Sequence, residues 1–534
     1  MNYRVSAQNT IDNRLRAFAP GILKGIRRGI EKESLRVGLD GALAETPHPA
    51  ALGSALTHPQ IITDFSEAQL ELITGVHSDV DACLEELTAI HQVVYRRIGE
   101  EMLWCASMPC RLPADDDIPL GQYGTSNIGK AKTVYRQGLA HRYGRRMQTI
   151  SGIHYNFSLP DSAWPVLQRI DARNGSLQDY QNDAYFSLIR NFRRHSWLLL
   201  YLFGASPAVC ASFVAGRTHR LQQLKSGTLY LPNGTSLRMG PLGYQSDAQA
   251  SLAVSYNSLE SYARSLYAAL TTPYPPYAAV GVRDGDDYRQ LADSLLQIEN
   301  EFYGTVRPKR TIRSGERPLH ALGQRGVEYV EVRCMDIDPF CPIGITAATM
   351  RFLDVFLLHC LLQESPPDTP EELKTIAHNQ HLVAESGRDP ALRLASGKKE
   401  LSVAEWGGQL LREFKPVAAA LDREHGGTAY RDAVVAAAAA LADPSATPSA
   451  RVLREIGQSH DNSYLSFVLA QSLQHRNSLL ERPLAPEVDD RYARMAKESL
   501  LVQHRIETDD RVPFETFRQQ YLAQDLLSGI RNRA

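Results

Sequence analysis

The chain has 534 residues, 43% of them hydrophobic, and its 58 basic and 60 acidic side chains leave a net charge of −2. This balance gives no electrostatic case for a nucleic-acid surface, and the longest apolar run, residues 197–204, is far shorter than the roughly 20 residues that span a bilayer. The amino terminus lacks the apolar segment of a secretion signal, and the 7 cysteines include no CxxC pair that would suggest structural zinc. We therefore expect a cytoplasmic protein in a reducing setting, without a nucleic-acid or membrane partner.

The first predicted strand, residues 27–37, places two acids on a face that becomes apolar toward its end. Residues two apart on a strand share a face, so Glu31 and Glu33 stand beside Leu35 and Val37. A salt-bridged sheet rim, or a strand end that leaves the core, would explain this pattern without any ligand. A site that needs paired carboxylates would explain it as well.

A second acidic cluster follows in residues 57–74, which we predict to run from a β-rich piece into a helix. On that helix Asp64, Glu67 and Glu71 line one face, because positions seven apart differ by only about 20°. Phe65 lies next to this face. The spacing of Asp64 and Glu67 is also that of a capping box, and a solvated helix edge is an equally open interpretation.

Residues 84–103 have the pattern of an amphipathic helix, and residues 147–160 alternate as a strand does. On this strand His154 and Asn156 share the polar face with Gln148 upstream, either as a ligand face or simply as a surface. Residues 227–239 predict a hairpin with the sequence Pro-Asn-Gly, residues 232–234, in its turn.

A further predicted strand, residues 326–339, carries Tyr329, Glu331 and Arg333 on one face. A glutamate and an arginine two apart can simply neutralise each other. They are also the pair that a metal-bound phosphate requires, since the acid holds the cation and the guanidinium binds phosphoryl oxygens.

The texture changes after Cys360. A Pro-rich break leads into a predicted helix with Thr369 as N-cap, Pro370 at its first position and Glu372 at its third. Residues beyond this point are mostly helical in pattern. We therefore predict an α+β catalytic body over residues 1–360 and a mainly helical region over residues 361–534 packed on it. The arginines at 190, 193 and 194 have helical spacing and are interpreted as a solvated face.

The acidic pieces are most informative together. Hard oxygen donors with a single imidazole suit Mg²⁺ or Mn²⁺ better than zinc, and gathered carboxylates are costly to bury unless cations compensate them. The sequence has no Walker A motif, no strand–GxGxxG–helix unit and no GxSxG elbow. The candidate ligands are Glu31, Glu33, Asp64, Glu71, His154 and Glu331.

Six long segments, in order over about residues 20–350, resemble the proteobacterial type of glutamate–cysteine ligase. The resemblance implies the fold of glutamine synthetase, a curved antiparallel sheet that forms a funnel-shaped site surrounded by helices. The segments are GIEKESLRV, ITDFSEAQLELIT, KTVYRQGLAHRYGRRMQTISGIHYNFS, LYLPNGTSLRMGPLGYQ, IENEFYGTVRPKR and GVEYVEVRCMDIDPF.

The resemblance also implies an activity. ATP, as co-substrate with Mg²⁺, would phosphorylate the γ-carboxylate of L-glutamate, and the amine of L-cysteine would displace the phosphate in the first step of glutathione synthesis. Glutathione could act as a feedback inhibitor, and we expect a monomer. Fused relatives carry an ATP-grasp domain for glycine addition, for which 534 residues leave no room, so we expect the dipeptide alone. A C-terminal disulfide known in some members is excluded within that region, because no cysteine follows Cys360.

The family's site residues map onto this sequence one by one. The six candidate ligands named above fall at metal-binding positions, and Arg333 matches the residue that contacts the transferring phosphoryl group. Arg238 resembles the arginine that holds the glutamate α-carboxylate, with Gln148 nearby. A core role stays open for each aromatic residue among the positions implied for cysteine, which are Phe65, Tyr135, Arg136, Tyr244 and Tyr303.

Three alternatives compete with this interpretation. Another carboxylate–amine ligase of the same fold would share the metal face and differ only in the acceptor pocket. A non-catalytic amino-acid or nucleotide sensor should have lost a metal carboxylate or the phosphate-contacting arginine, and neither is missing here. A Mg²⁺-dependent nuclease should carry a basic surface bias, which the composition lacks.

Overall fold

The computed structural model describes residues 2–523 except 226, 244–246, 251, 253 and 314. Strands β1 to β14 are, in chain order, Arg27–Val37, Ile61–Thr63, Gln69–Ile73, Met102–Leu103, Ile153–Ser158, Ala208–Cys210, Gln222–Gln223, Thr228–Tyr230, Arg283–Asp284, Asp287–Tyr288, Val306–Lys309, Tyr329–Met335, Arg393–Ser396 and Lys399–Ser402.

Helices surround these strands, and they dominate the chain after residue 360. Helices α1 to α19 are, in chain order, Asn2–Ala17, Val80–Tyr95, Asn127–Tyr143, Arg145–Gln148, Ala163–Ile170, Leu177–His195, Trp197–Phe203, Asp247–Ala250, Leu259–Thr271, Pro275–Val280, Pro318–Arg325, Ala347–Leu362, Pro370–Ser386, Val403–His425, Ala429–Ala442, Pro448–Ser459, Tyr464–Glu481, Pro486–Asp509 and Phe514–Tyr521.

The main sheet is antiparallel and has β1 near its centre. Its order is β11-β12-β5-β1-β3-β2, and β4 pairs with the far end of β1. Glu31 is opposite His154 on β5, while Glu33 is opposite Glu71 on β3. The antiparallel sheet surrounded by helices confirms the predicted fold class, and the register brings separate acidic segments onto neighbouring strands.

The face of the sheet opposite to these acidic side chains packs in the hydrophobic core. Ile30, Tyr155 and Val332 come from three adjacent strands and are fully buried there. Helix α12 packs against α2, α6, α14 and α15, and this layer covers the apolar face. One face of the sheet is therefore committed to packing, which leaves the opposite face to carry the charged side chains.

A buried ion pair joins β1 to α12 within this core. The Arg28 guanidinium lies 2.9 Å from the Asp354 carboxylate, and both side chains are fully buried. Tyr155 donates a hydrogen bond of 2.7 Å to the same carboxylate, and Tyr430 donates one of 3.3 Å from α15. Asp354 thus contacts polar groups of three elements at the back of the sheet.

Replacing Asp354 with asparagine is expected to lower the free energy of unfolding by about 3–5 kcal/mol, because the Arg28 charge would stay buried without its partner. Urea unfolding followed by circular dichroism measures this loss. The matched control is Asp81→Asn. Asp81 is an exposed partner of Arg351, which lies on the same helix α12 as Asp354, and its replacement should lower the free energy of unfolding by less than about 1 kcal/mol. Equal losses for the two variants would contradict this prediction.

The predicted helix within residues 57–74 is wrong. The chain forms β2 and β3, joined by a tight turn in which the Gln69 amide donates to the Ser66 carbonyl and the Asp64 amide to the Gln69 carbonyl. Because β3 pairs along β1, long-range sheet pairing outweighs the local helical pattern. The shared helix face of Asp64, Glu67 and Glu71 therefore does not exist.

Other local predictions also fail. The helix predicted over residues 84–103 ends at Tyr95, and Met102–Leu103 is a strand. No second strand follows the turn at residues 232–234 among the described residues; instead the Thr235 amide donates to the Ala384 carbonyl, and β8 pairs with β6 and β7. Gln148 lies in the short helix α4, so it does not share a strand face with His154.

The arginines of α6 are not a solvated face. Arg190 is buried and donates to the Tyr256 carbonyl, while Arg193 and Arg194 lie 3.6 Å and 2.7 Å from Asp368 and Glu372. Residues 365–372 cross over this surface of α6 and contact its arginines. Tertiary packing, which the spacing does not report, decides their environment.

The C-terminal prediction agrees with the structure. Helix α13 begins at Pro370, and the Thr369 hydroxyl accepts a hydrogen bond of 3.3 Å from the Glu372 amide. Apart from the β13–β14 hairpin, the described residues after 370 are mostly helical. The division into regions 1–360 and 361–534 stays a prediction.

Two further observations concern a cross-link and the described helices. A disulfide joins Cys110 to Cys210, a pairing that the sequence pattern did not predict. Among the described helices, none is both long enough and apolar enough to cross a membrane.

Candidate active site

The imidazole of His154 lies at the centre of the charged face. Its Nδ1 is 3.2 Å from Glu31 Oε2 and 3.9 Å from Glu331 Oε1, and its Nε2 is 3.5 Å from Glu33 Oε1. Three antiparallel strands contribute these groups because β5 pairs with β1 on one side and β12 on the other. The sequence-predicted ligands Glu31, Glu33, His154 and Glu331 therefore meet at one place.

Glu31, His154 and Glu331 are close enough for one cation. A ligand atom from each of them lies within 4.8 Å of the others. Two carboxylate oxygens with one imidazole nitrogen fit a small divalent cation, and their charge would be compensated by it. The side chain of Asn156 donates 2.9 Å to Glu31 Oε1, which orients that carboxylate toward the cluster.

Cationic side chains flank Glu331 on both sides. Lys309 Nζ is 3.1 Å from Glu331 Oε1, and Arg333 Nη1 is 3.2 Å from Glu331 Oε2. Burial by itself would raise the pKa of Glu331. The charges of Lys309 and Arg333, together with His154 and Arg307, outweigh burial and hold this pKa well below its usual range. The carboxylate therefore stays ionised at neutral pH even in the interior.

Glu33 and Glu71 face each other across β1 and β3. Burial raises the pKa of Glu33, and burial together with the charges of Glu31, Asp64 and Glu33 raises the pKa of Glu71 well above its usual range. Asp64, in the turn after β2, is thus within electrostatic range of the cluster. All six predicted ligands gather on this face. A divalent cation would reduce the electrostatic repulsion among their carboxylates.

The guanidinium of Arg238 packs against Gly152 at the edge of the cluster. Its Nη2 donates 2.7 Å to the Arg333 carbonyl, and a Cβ at Gly152 would lie 2.1 Å from that same nitrogen. The Gly152 amide in turn donates 2.7 Å to Glu33 Oε2. Only glycine at position 152 lets the guanidinium lie beside the carboxylate face.

A separate group of aromatic and polar side chains borders this face. Gln148 Nε2 donates 2.7 Å to the Tyr303 hydroxyl. Burial, followed by the charge of Glu301, raises the pKa of Tyr135 well above its usual range. Arg136 donates through Nε to the Asp64 carbonyl and stacks at 4.4 Å over the Tyr123 ring.

Two of the predicted substrate positions differ in character from these. Phe65 is 2% exposed and belongs to a hydrophobic core cluster, so its role toward a ligand stays a prediction. Tyr244 lies outside the described residues. Among the described members of the predicted set, Gln148 thus contacts Tyr303 and Arg136 contacts the backbone of Asp64, whereas Phe65 packs in the core.

Sequence reasoning missed two cationic residues of the site and gave no specific role to Asn156. Lys309 and Arg307 on β11 reach Glu331 electrostatically, and Asn156 orients Glu31. Arg307 and Lys309 alternate in the segment VRPK, but nothing in that segment indicated that β11 pairs with β12. The Asn156 signal was present, since it shares a strand face with His154.

The chain matches known proteins over most of its length. The family model described as glutamate-cysteine ligase matches residues 15–383. A glutamate–cysteine ligase of Alcanivorax borkumensis is 48% identical over 95% of this chain and 97% of its own length. One of Pseudomonas entomophila is 50% identical, with 95% of each chain covered.

Solved structures give the same result. A crystal structure of the Francisella tularensis glutamate–cysteine ligase in complex with AMP is 34% identical, has a TM-score of 0.88 and covers 94% of this chain and 98% of its own. A bifunctional glutathione synthetase of Pasteurella multocida has a TM-score of 0.71 at 28% identity, covering 92% of this chain and 58% of its own. With this fold, this match of the family model and these relatives, the chain belongs to the glutamate–cysteine ligase family.

Proposed function

We propose that the charged sheet face is the active site at which this chain uses ATP to join the γ-carboxylate of L-glutamate to the amine of L-cysteine. The products are γ-glutamylcysteine, ADP and phosphate, and the reaction is the first step of glutathione biosynthesis. The observation that carries the proposal is the meeting of Glu31, His154 and Glu331 beside Lys309 and Arg333 in a chain of this family.

The chemistry requires activation of a carboxylate. A carboxylate is a poor electrophile, so the γ-oxygen of glutamate first takes the terminal phosphoryl group of ATP, which makes γ-glutamyl phosphate and ADP. The amine nitrogen then attacks the acyl carbon, the C–O bond to phosphate breaks, and the amine loses a proton. Phosphoryl transfer depends mainly on positioning and charge neutralisation, which a cluster of this kind provides.

Mg²⁺, or Mn²⁺ in its place, would neutralise and orient the phosphates of ATP. Glu31, His154 and Glu331 would hold one cation, and Glu33, Asp64 and Glu71 would complete the set. Asn156 keeps Glu31 oriented, and Lys309 supplies a positive charge on the outer side of Glu331. The clustered acids fit this role because their like charges need compensation.

Arginines supply the remaining charge. Arg333, with 24% of its side chain exposed beside Glu331, would contact the transferring phosphoryl group. Arg238 would hold the α-carboxylate of glutamate, with Gln148 nearby. Its place beside Glu33 supports this assignment, because the bound amino acid would then lie next to the cations.

The acceptor pocket is proposed at the aromatic group. Tyr135 and Tyr303 would enclose the short thiol side chain of cysteine, and Arg136 would bind its carboxylate. Phe65 and Tyr244 are carried into this pocket by the family resemblance alone. The monomeric state, a cytoplasmic location and feedback inhibition by glutathione likewise remain predictions.

ADP release with glutamate, ATP and a series of amines tests the function. We expect turnover to depend on the amine and to be strongest with cysteine among the amino acids, because the proposed pocket is small and partly aromatic. Equal rates with ammonia or unrelated amines would refute cysteine as the acceptor and favour another carboxylate–amine ligase. Absence of any amine-dependent ADP release would favour a sensor.

A further inference from the structure

A chain of hydrogen bonds runs behind the proposed acceptor pocket and ends on a buried carboxylate. Glu301 is 1% exposed, and its Oε1 accepts hydrogen bonds of 2.8 Å from Arg142 and 2.7 Å from the Tyr143 hydroxyl. Its Oε2 accepts 2.6 Å from the Gln297 amide. Neither side chain of the Arg142–Glu301 pair has exposed surface, so this end of the chain of hydrogen bonds lies in the interior.

The direction of each hydrogen bond follows from this end. A carboxylate paired with a guanidinium accepts, so the Tyr143 hydroxyl donates to it and its oxygen accepts 3.0 Å from Gln249 Nε2. The same amide nitrogen donates 2.8 Å to the Glu301 carbonyl. Gln249 Oε1 is thereby turned toward Tyr303, whose backbone amide donates to it at 2.9 Å.

The other end of the chain lies in the pocket wall. The Tyr303 hydroxyl accepts 2.7 Å from Gln148, and its ring meets the Tyr143 ring edge-on at 5.6 Å. Tyr143 therefore touches Tyr303 in two ways, directly through the ring and indirectly through Gln249. Burial, followed by the neighbouring Glu301 charge, raises the pKa of Tyr143 far above neutral, so its hydroxyl remains a donor.

A buried ion pair is weak evidence for stability, because desolvation offsets most of its attraction. A connected hydrogen-bond network does, however, hold its members in one geometry, and this one is anchored on a fully buried ion pair. We propose that Tyr143, anchored on Glu301 and Arg142 and acting through Gln249, is a positioning residue that sets the acceptor pocket for cysteine. This inference rests on the proposed function, and it names a residue that acts on selectivity without touching the reacting atoms.

The test compares Tyr143→Phe with wild type for ADP release at saturating ATP and glutamate. Cysteine is varied in one series and 2-aminobutyrate, which replaces the thiol with a methyl group, in the other. We expect the cysteine KM to rise about five- to tenfold, because the network loses the hydrogen bonds of the Tyr143 hydroxyl with Glu301 and Gln249. The kcat and the glutamate KM should stay within about twofold. The preference for cysteine over 2-aminobutyrate should fall.

Tyr180→Phe is the matched control. Tyr180 donates 2.8 Å to Asp171, which Arg14 binds at 2.8 Å, so the same Arg–carboxylate–Tyr unit is present away from the pocket. It should leave all kinetic constants unchanged. An equal rise of the cysteine KM in both variants, or an unchanged KM in Tyr143→Phe, would overturn the inference.

A second variant covers the case in which Tyr143→Phe folds poorly. Gln249→Leu breaks the middle of the chain, and it should raise the cysteine KM as Tyr143→Phe does. The double variant should be no worse than the stronger single one, since both cut one network. Additive effects, or a fall in kcat alone, would refute it. Wild-type turnover with cysteine in the same assay separates failure of this inference from failure of the proposed function.

Discussion

Glu331→Gln is expected to abolish ATP turnover while the protein stays folded. The side chain is 1% exposed and lies 3.1 Å from Lys309 and 3.2 Å from Arg333. Glutamine keeps the size but removes the charge, so the cation would lose a ligand and two positive side chains would face the space that it needs. We expect ADP release to fall by at least about 100-fold, which exceeds the effect of losing an outer partner of a metal ligand.

Titration of Mg²⁺ in the ADP-release assay measures this loss, and circular dichroism checks the fold. Glu31→Gln should behave in the same way, because it removes the carboxylate that contacts His154 at 3.2 Å. The control is Glu328→Gln, which changes a 41% exposed side chain just before β12, the strand that carries Glu331. Near-normal activity of Glu331→Gln or Glu31→Gln at ordinary Mg²⁺ would show that the metal assignment is wrong.

Arg333→Met should have the second large effect, a fall in kcat of about 1,000-fold, the lower end for an arginine that stabilises phosphoryl transfer. Burial lowers the pKa of Arg333, but Glu331, Glu33 and Glu31 raise it more, so the guanidinium stays charged. Arg333→Lys should recover only part of the rate, because an ammonium cannot bind two phosphoryl oxygens at once as a guanidinium can.

Initial rates at saturating glutamate, cysteine and ATP measure the Arg333 effect, and Mg²⁺ binding should change less than kcat does. The control is Arg173→Met, which removes a 60% exposed guanidinium paired with Asp183. A kcat within tenfold of wild type for Arg333→Met would refute the assignment to the phosphoryl group.

The strands that carry the site were predictable because their periodicity is local. Alternation along residues 27–37 and 326–339 put Glu31 with Glu33, and Glu331 with Arg333, on single faces, and β1 and β12 have those faces. The same reasoning identified the capped start of α13 at Thr369, since a cap needs only its own neighbouring residues.

Prediction failed where the environment of a segment comes from distant chain. Residues 64–71 have a plausible helical pattern, but pairing with β1 makes them a turn and a strand. Arg190 has the spacing of a surface residue, yet the later segment around Ser365 buries it. The network from Glu301 to Tyr303 was equally invisible, because its members are joined through space and not by spacing.

By itself, the sequence determined which side chains share a strand face, because backbone alternation decides this within a few residues. It also determined the family, through long motifs in order. Only the tertiary structure decided that Glu31, His154 and Glu331 are neighbours and that Lys309 flanks them. The physical reason is that strand order and register depend on burying the apolar faces of distant segments against common helices, and that burial brings the opposite, charged faces together.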